Sequence, residues 1–447
     1  MNRFHPNHLL YSVVSKWIYD SRVFFRFPEH SIWVMEQTNA IIAAFSLMIF
    51  TAFLSRRESW LRAILATGVL AFSFAYWSEV VDPGCYAWAT MFGILLLFSW
   101  LYRFSWPIFV QSSIAGIAVL FHQMYLIVIP FYFLFLPREQ RKPFFLGTLL
   151  VVGLPYLIIA YLYHGPALHD MFFWFFAPAG AGPQSGILHH SWWSTAWGAN
   201  IHAFLITLMS IWCTSLPQNR FLSLIVCAAC SLLFFGILVK AFLRKEYFLF
   251  SWICSMSIFQ FFWCAGTTRF RLLWMPAWIY LLVKELPLSR RKEGAMFLCV
   301  LAMALWNWNH SIRPNSNFWN SPNLVRAVWV GEKLRSNDFF LFSGIGSASI
   351  INVYVAYFAP NIQTRSLSGY FFSNPEAGLS PFSTVFKNVR QQGGRIILEA
   401  SLWSPEVQKN LEETGKLPRG FLQQWLSMFK VGKQWTGPNA YTLLEVS

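Results

Sequence analysis

From Gln37 to Trp308 the chain alternates long apolar runs with short polar loops, and beyond Trp308 the pattern changes to one of mixed short segments. An upright helix needs roughly 20 apolar residues to cross a hydrocarbon core of about 30 Å. Runs approaching that length are Gln37 to Leu54, Ala63 to Trp77, Tyr86 to Leu101, Pro107 to Phe121, Met124 to Leu136, Phe144 to Tyr163, Phe221 to Leu243, Tyr247 to Cys264, Arg271 to Glu285 and Gly294 to Trp308. The pattern predicts an all-α polytopic membrane protein of about ten transmembrane helices with a small C-terminal α/β domain outside the cytoplasm. Composition agrees, because 56% of residues are hydrophobic and only 12% are charged, far from the balance of a soluble enzyme.

Basic residues choose the orientation, since cytoplasmic loops retain Lys and Arg during insertion. Clusters occur at Arg56, Arg57 and Arg62, at Arg138, Arg141 and Lys142, at Arg244 and Lys245, and at Arg290, Arg291 and Lys292. All four share one side if the apolar stretch Thr195 to Leu216 does not cross, and it reads as an interfacial or re-entrant helix. Both termini then lie outside, periplasmic in a bacterial inner membrane. Residues 1–36 read as an outer-surface amphipathic segment without a cleavable signal pattern, 37–308 as the transmembrane domain with an outer loop at 164–220, and 309–447 as the periplasmic domain. The net charge of +15 follows from these loops and from attraction to anionic headgroups, and no nucleic-acid partner is expected. Cys227 and Cys230 mimic a CxxC pair, but inside an apolar helix they read as small packing residues.

In the tail, strands are expected at Phe339 to Phe342, Ile362 to Leu367, Arg395 to Glu399 and Tyr441 to Val446. Helices are expected at Leu324 to Arg335, Ser347 to Tyr357, Thr384 to Gln392 and Pro405 to Glu413, so the sheet should be parallel or mixed. Gly344-Ile345-Gly346 follows a strand, but without a third glycine or a later acidic partner it does not read as a nucleotide site.

Ionisable groups near a bilayer are costly, which makes the outer ones candidates for chemistry. Glu79 and Asp82 stand in a very short outer loop, Ser78 to Tyr86, whose turn is forced by Pro83 and Gly84. A carboxylate there can take a proton from an incoming hydroxyl or hold a divalent metal ion, and Asp82 can equally cap the next helix. His122 can donate to a phosphate or hydroxyl, or be satisfied by a neighbouring helix. His189 and His190, beside Trp192 and Trp193, suit sugar stacking and interfacial anchoring alike. No histidine spacing marks a metal centre. Arg269 and Arg271 break the positive-inside rule, and a guanidinium at the outer edge can hold a lipid phosphate or anchor to headgroups.

Four stretches resemble the GT-C superfamily of polytopic glycosyltransferases, which take sugars from polyprenyl-phosphate carriers. They are FHPNHLLY (Phe4 to Tyr11), QTNAIIAAFSL (Gln37 to Leu47), FHQMYLIVIP (Phe121 to Pro130) and TTRFRLLWMPAWIYLL (Thr267 to Leu282). In bacterial members these are similar to the first outer loop, the Asn-containing second helix, the His-containing mid-region and a late Arg-aromatic helix, here without its first proline. The resemblance implies substrate contacts for His5, His8, His122, Arg269 and Arg271. It also implies a lipid-linked sugar as donor and a glycan, lipid or protein as acceptor. In that family a first transmembrane helix and an acidic residue opening the outer loop come before this region. The chain begins downstream of both, and Asp82 and Glu79 match only the second outer loop. Transfer of a hexosyl or pentosyl group at the periplasmic face is therefore the leading expectation. A lipid or solute transporter, or an inactive membrane scaffold, is the alternative, and a transporter should show interrupted helices and midplane charges.

Overall fold

The computed structural model describes residues 9–21, 31–80, 82, 84–164, 197–213, 220–264, 268–285, 290–313, 322–344, 355, 362–373 and 378–447. The chain forms two compact units, with the change at Arg313 and Pro314. The first holds helices α1 (Leu9–Asp20), α2 (Ser31–Leu54), α3 (Trp60–Phe72), α4 (Phe74–Val80), α5 (Tyr86–Leu101), α6 (Ile108–Phe121), α7 (Ile129–Phe135) and α8 (Arg138–His164). It continues with α9 (Trp197–Ser210), α10 (Arg220–Leu243), α11 (Tyr247–Cys264), α12 (Met275–Glu285) and α13 (Arg290–Asn307).

Within these helices, four segments are long and apolar enough to cross a membrane: Val34–Leu54, Arg138–Leu162, Leu224–Leu243 and Lys292–Ile312. The bent pair α3 and α4 supplies a fifth if counted as one span, so length and composition alone do not reach the expected ten. α5 is among the shorter apolar helices. Its 16 residues span only about 24 Å, and most of them, from Tyr86 to Trp100, are buried by neighbouring helices. Leucines at 146, 149, 150, 154, 157 and 162 on α8 are exposed instead, as a lipid-facing surface requires.

The four basic clusters meet at one end of this unit. Arg62 pairs with Glu293 at 3.2 Å, Arg244 with Glu285 at 2.9 Å, and Lys284 with Glu246. Phe135, just before Arg138, lies 6.5 Å from Tyr247 between ring centroids, and Arg57 donates to the carbonyl of Leu101 at the end of α5.

Ala63 to Trp77 reads as a single span in sequence, yet it bends by 61° at Ser73. Ser73 takes an extended conformation that ends α3, and its hydroxyl accepts from the Tyr76 amide at 3.3 Å to start α4. The groups released by the break find partners far along the chain. The Ala75 amide donates to Ile211 O (3.0 Å), while Asn307 Nδ2 donates to Phe72 O (2.8 Å) and Trp212 O (2.7 Å). Backbone left unpaired in an apolar interior is costly, so one asparagine stabilises two helix ends. Asn307→Leu should lower stability by about 1–2 kcal/mol, read as an earlier thermal transition in detergent. An unchanged transition would show that the two carbonyls are satisfied without it.

Helix α9 falls within the stretch expected to lie at the interface or re-enter. Its far end is buried, at Leu208, Met209 and Ile211, and it lies alongside α10, where the Cys227 thiol reaches Leu205 O at 3.3 Å.

The second unit contains a five-stranded mixed sheet of order β2-β1-β3-β5-β4. Its strands are β1 (Phe339–Phe342), β2 (Gln363–Ser366), β3 (Ile396–Glu399), β4 (Val431–Thr436) and β5 (Thr442–Val446). β1 runs parallel to β2 and β3, whereas β5 is antiparallel to β3 and β4. Helices α14 (Pro322–Lys333), α15 (Leu367–Ser373), α16 (Ser380–Gln391), α17 (Pro405–Gly415) and α18 (Phe421–Ser427) complete it. Phe339 and Leu341 enter one core with Phe382 and Phe386, while Phe340 and Phe342 enter another with Val330 and Leu443. Burial on both faces explains why β1 is a continuous apolar run. Gly344 has φ +71°, and a Cβ there would stand 1.9 Å from Ser366 Oγ, so close approach to β2 accounts for this glycine. Ile345, Gly346 and, apart from Val355, the helix expected at Ser347 to Tyr357 lie outside the described residues.

Candidate functional site

The end of the helical unit opposite the basic clusters is built where α4 stops and α5 starts. Asn39 of α2, fully buried, donates through Nδ2 to Asp82 O at 2.6 Å and Gly84 O at 2.8 Å. These bonds fix the turn through its backbone and leave the Asp82 side chain exposed. Cys85 occupies the N-cap of α5, so Asp82 does not fill the capping position available to it in sequence. Glu79, on the last turn of α4, faces Arg269 at 3.6 Å and accepts from the Thr268 hydroxyl at 3.4 Å.

An aromatic wall joins these groups to His122. The Arg269 guanidinium lies 5.8 Å from the Tyr86 ring, Tyr86 lies 5.4 Å from His122, and Phe270 meets His122 edge-on at 5.9 Å. His122 is buried at the junction of α6 and a 3₁₀ turn, Gln123–Ile127, and its Nδ1 accepts the Met124 amide at 3.3 Å. A neutral ring with that acceptor carries its proton on Nε2.

Electrostatics couples the cluster. Although Asp82 reaches solvent, crowding by the surrounding protein costs its carboxyl part of its hydration and pushes it above its ordinary value, and the Arg269 charge pulls it partly back. Burial works against the Arg269 charge, but Glu79, Tyr86 and Asp82 outweigh it and hold the guanidinium above its usual value. Glu36 of α2 and Tyr11 of α1 also stand within electrostatic reach of Asp82. Among the described residues no three His, Cys, Asp or Glu are placed to hold a metal ion.

Of the residues singled out in sequence, Glu79, Asp82, His122 and Arg269 come together. Arg271 points elsewhere. Arg269 and Arg271 belong to one 3₁₀ turn, Arg269–Leu273, and residues two apart on such a turn project in different directions. Half of the Arg269 side chain is exposed, whereas Arg271 is fully buried against α9. Arg271 bonds to Thr207 Oγ1 at 2.7 Å and lies 4.1 Å from the Phe204 ring, with Nε and Nη1 unbonded. His5, His8, His189 and His190 lie outside the described residues. Asn39 carries the turn without having been assigned that role in sequence, its signal being a lone amide inside an apolar helix.

No protein-family model and no curated protein sequence matches the chain. Two solved structures of the oligosaccharyltransferase of Archaeoglobus fulgidus do match, at 11% identity. The fold is shared with an oligosaccharyltransferase, a glycosyltransferase of GT-C fold. One structure, tethered to an acceptor peptide containing the NVT sequon, superposes with a TM-score of 0.53 over 100% of this chain and 66% of its own. The other, a complex with Zn and sulfate, gives 0.54 over 99% of this chain and 64% of its own. The chain thus spans just under two thirds of the length of those oligosaccharyltransferase chains.

Proposed function

We propose that this chain is a membrane glycosyltransferase of GT-C type, which moves a sugar from a polyprenyl-phosphate carrier to an acceptor at the periplasmic face of a bacterial inner membrane. The observation that carries the reading is the grouping of Glu79, Asp82, His122 and Arg269 at one end of a fold shared with an oligosaccharyltransferase. The carrier's hydrocarbon stays in lipid while its phosphate and sugar reach this end. Arg269, half exposed and pinned by Glu79, neutralises the departing phosphate, an interaction that strengthens as negative charge develops. Asp82 deprotonates the acceptor hydroxyl, and Glu79 holds Arg269 in place. His122 offers a ring N–H toward the donor, and the sugar carbon passes through an oxocarbenium-like state. The sugar is a hexose or pentose, and the acceptor a glycan, lipid or protein. His5 and His8 complete the donor contacts in this reading, and Arg271 joins them where α9 uncovers it.

The accompanying topology has ten crossings, both termini outside and residues 309–447 in the periplasm. Its support is the meeting of all four basic clusters at one end of the helical unit. A reporter fused after Ser447 should be active only if periplasmic, and cytoplasmic activity would overturn the orientation. For the chemistry, membranes carrying Arg269→Gln should transfer radiolabelled sugar from polyprenyl phosphate about a hundredfold more slowly than wild type. Arg269→Lys, which keeps charge but loses the planar fork, should recover much of that loss. Equal turnover in all three would remove Arg269 from the site.

The interrupted helix at Ser73 and the buried Arg271 favour a second reading, a lipid or solute transporter. Such a protein would move the labelled lipid across reconstituted vesicles while leaving its sugar attached.

A further inference from the structure

A cleft of about 680 Å³ opens along α13, and none of the residues that line it belongs to the cluster around Arg269. Its walls come from α3, α10, α12, α13 and the two residues Trp212 and Cys213 beyond α9, with Lys292 as its one charged lining residue. The lining residues on α13 run from Lys292 to Met303, which at helical rise is about 16 Å. That is close to half of a hydrocarbon core of roughly 30 Å, the depth of one leaflet.

Such a space cannot stand open at membrane depth. Its apolar walls offer water almost no partners, and leaving it empty forfeits dispersion contacts along its whole length. Hydrocarbon is the filling that the bilayer supplies. Lys292 orients that filling, because it is exposed at the basic end of the unit, next to the Glu293 that pairs with Arg62. An ammonium at a cleft mouth matches a phosphate at headgroup level.

We infer that this cleft is a binding site for an anionic glycerophospholipid of the leaflet at the basic end, with one acyl chain along α13 and its phosphate on Lys292. The site lies at the opposite end from the proposed transfer chemistry and does not depend on it. Its occupant is a structural lipid that completes the packing of α10 against α12 and α13.

The test uses the full chain in nanodiscs of equal parts phosphatidylcholine and phosphatidylglycerol, released into mild detergent for native mass spectrometry. One phosphatidylglycerol should be retained in preference to phosphatidylcholine. Lys292→Gln should reduce that preference about fivefold, the effect of one cation near an anionic surface. Ala295→Trp, which fills the cleft, should abolish retention, whereas Lys240→Gln, a charge loss near the same end but outside the cleft, should leave it intact. Equal retention of both lipids, retention unaltered in Lys292→Gln and Ala295→Trp, or a polyprenyl phosphate in the phospholipid's place would overturn the assignment. A mutation-free measurement guards against misfolded variants. Cys299 lines the cleft and is exposed, so added phosphatidylglycerol should slow its labelling by an apolar maleimide in lipid-depleted wild-type protein. Labelling at the same rate with and without phosphatidylglycerol would count equally against the site.

Discussion

Asp82→Asn is expected to slow sugar transfer by between about 10² and 10⁴, the range that one positioned general base contributes. The substitution is a clean one, because the turn is held by Asn39 through the carbonyls of Asp82 and Gly84 and not through the carboxylate. Asparagine keeps the shape and loses the basic group, so protein yield and the detergent elution profile should match wild type. The pH profile gives an independent reading. Partial loss of hydration raises the Asp82 carboxyl, so the acid limb of transfer should lie above the ordinary aspartate value of about 3.9. Arg269 lowers the same carboxyl, so removing that charge in Arg269→Gln should move the limb to higher pH. The neighbouring groups are Glu36 on α2, Glu79 on α4 and Tyr86 on α5, none of which is a cause of the Asp82 shift. A limb that stays in place in Arg269→Gln would mean that Asp82 is not the titrating group.

Much of this architecture is legible along the chain, and the exceptions have physical causes. The bounds of α5 follow from Pro83 and Gly84 ahead of an apolar run, and β1 follows from Phe-Phe-Leu-Phe, since local composition decides both. The break at Ser73 is hidden, because its flanks carry neither proline nor glycine at the bend. Its stabilising partners, Ile211 and Asn307, are remote in sequence. β4 is hidden for a different reason: Val431 to Thr436 is an edge strand almost wholly exposed, so it shows no apolar alternation. At the candidate site, residue type pointed to Glu79, Asp82, His122 and Arg269, whose grouping depends on helix ends that adjoin in space. Two arginines in the same short motif look equivalent on paper. The turn that carries them separates their directions, and only packing against α9 shows that Arg271 is enclosed.

In the tail, Asp338→Ala is expected to destabilise the sheet by about 3–5 kcal/mol, the usual cost of leaving one member of a buried ion pair without its partner. The Asp338 side chain is completely buried immediately before β1, and Arg395 stands immediately before β3. Asp338 accepts from the Arg335 and Arg395 amides at 2.8 and 2.9 Å, and from Arg395 Nε and Nη2 at 3.1 and 2.5 Å. It therefore ties the start of two parallel strands and satisfies two amides that alanine would leave unpaired. Burial alone would raise this carboxyl, but the Arg395 side-chain bonds and the two amides outweigh it and hold the group below the ordinary aspartate value. A depressed native value means that its stabilisation is fully present above the unfolded-state pKa of about 3.9, and is lost as pH falls through the native value. Hydrogen exchange at the amides of β1 and β3 is the appropriate readout, because it reports the opening of these two strands directly. Protection in wild type should weaken below about pH 4, whereas Asp338→Ala should lack it at neutral pH and respond little to acid. Equal protection in the two proteins at neutral pH would show that the strands hold their register without this pair.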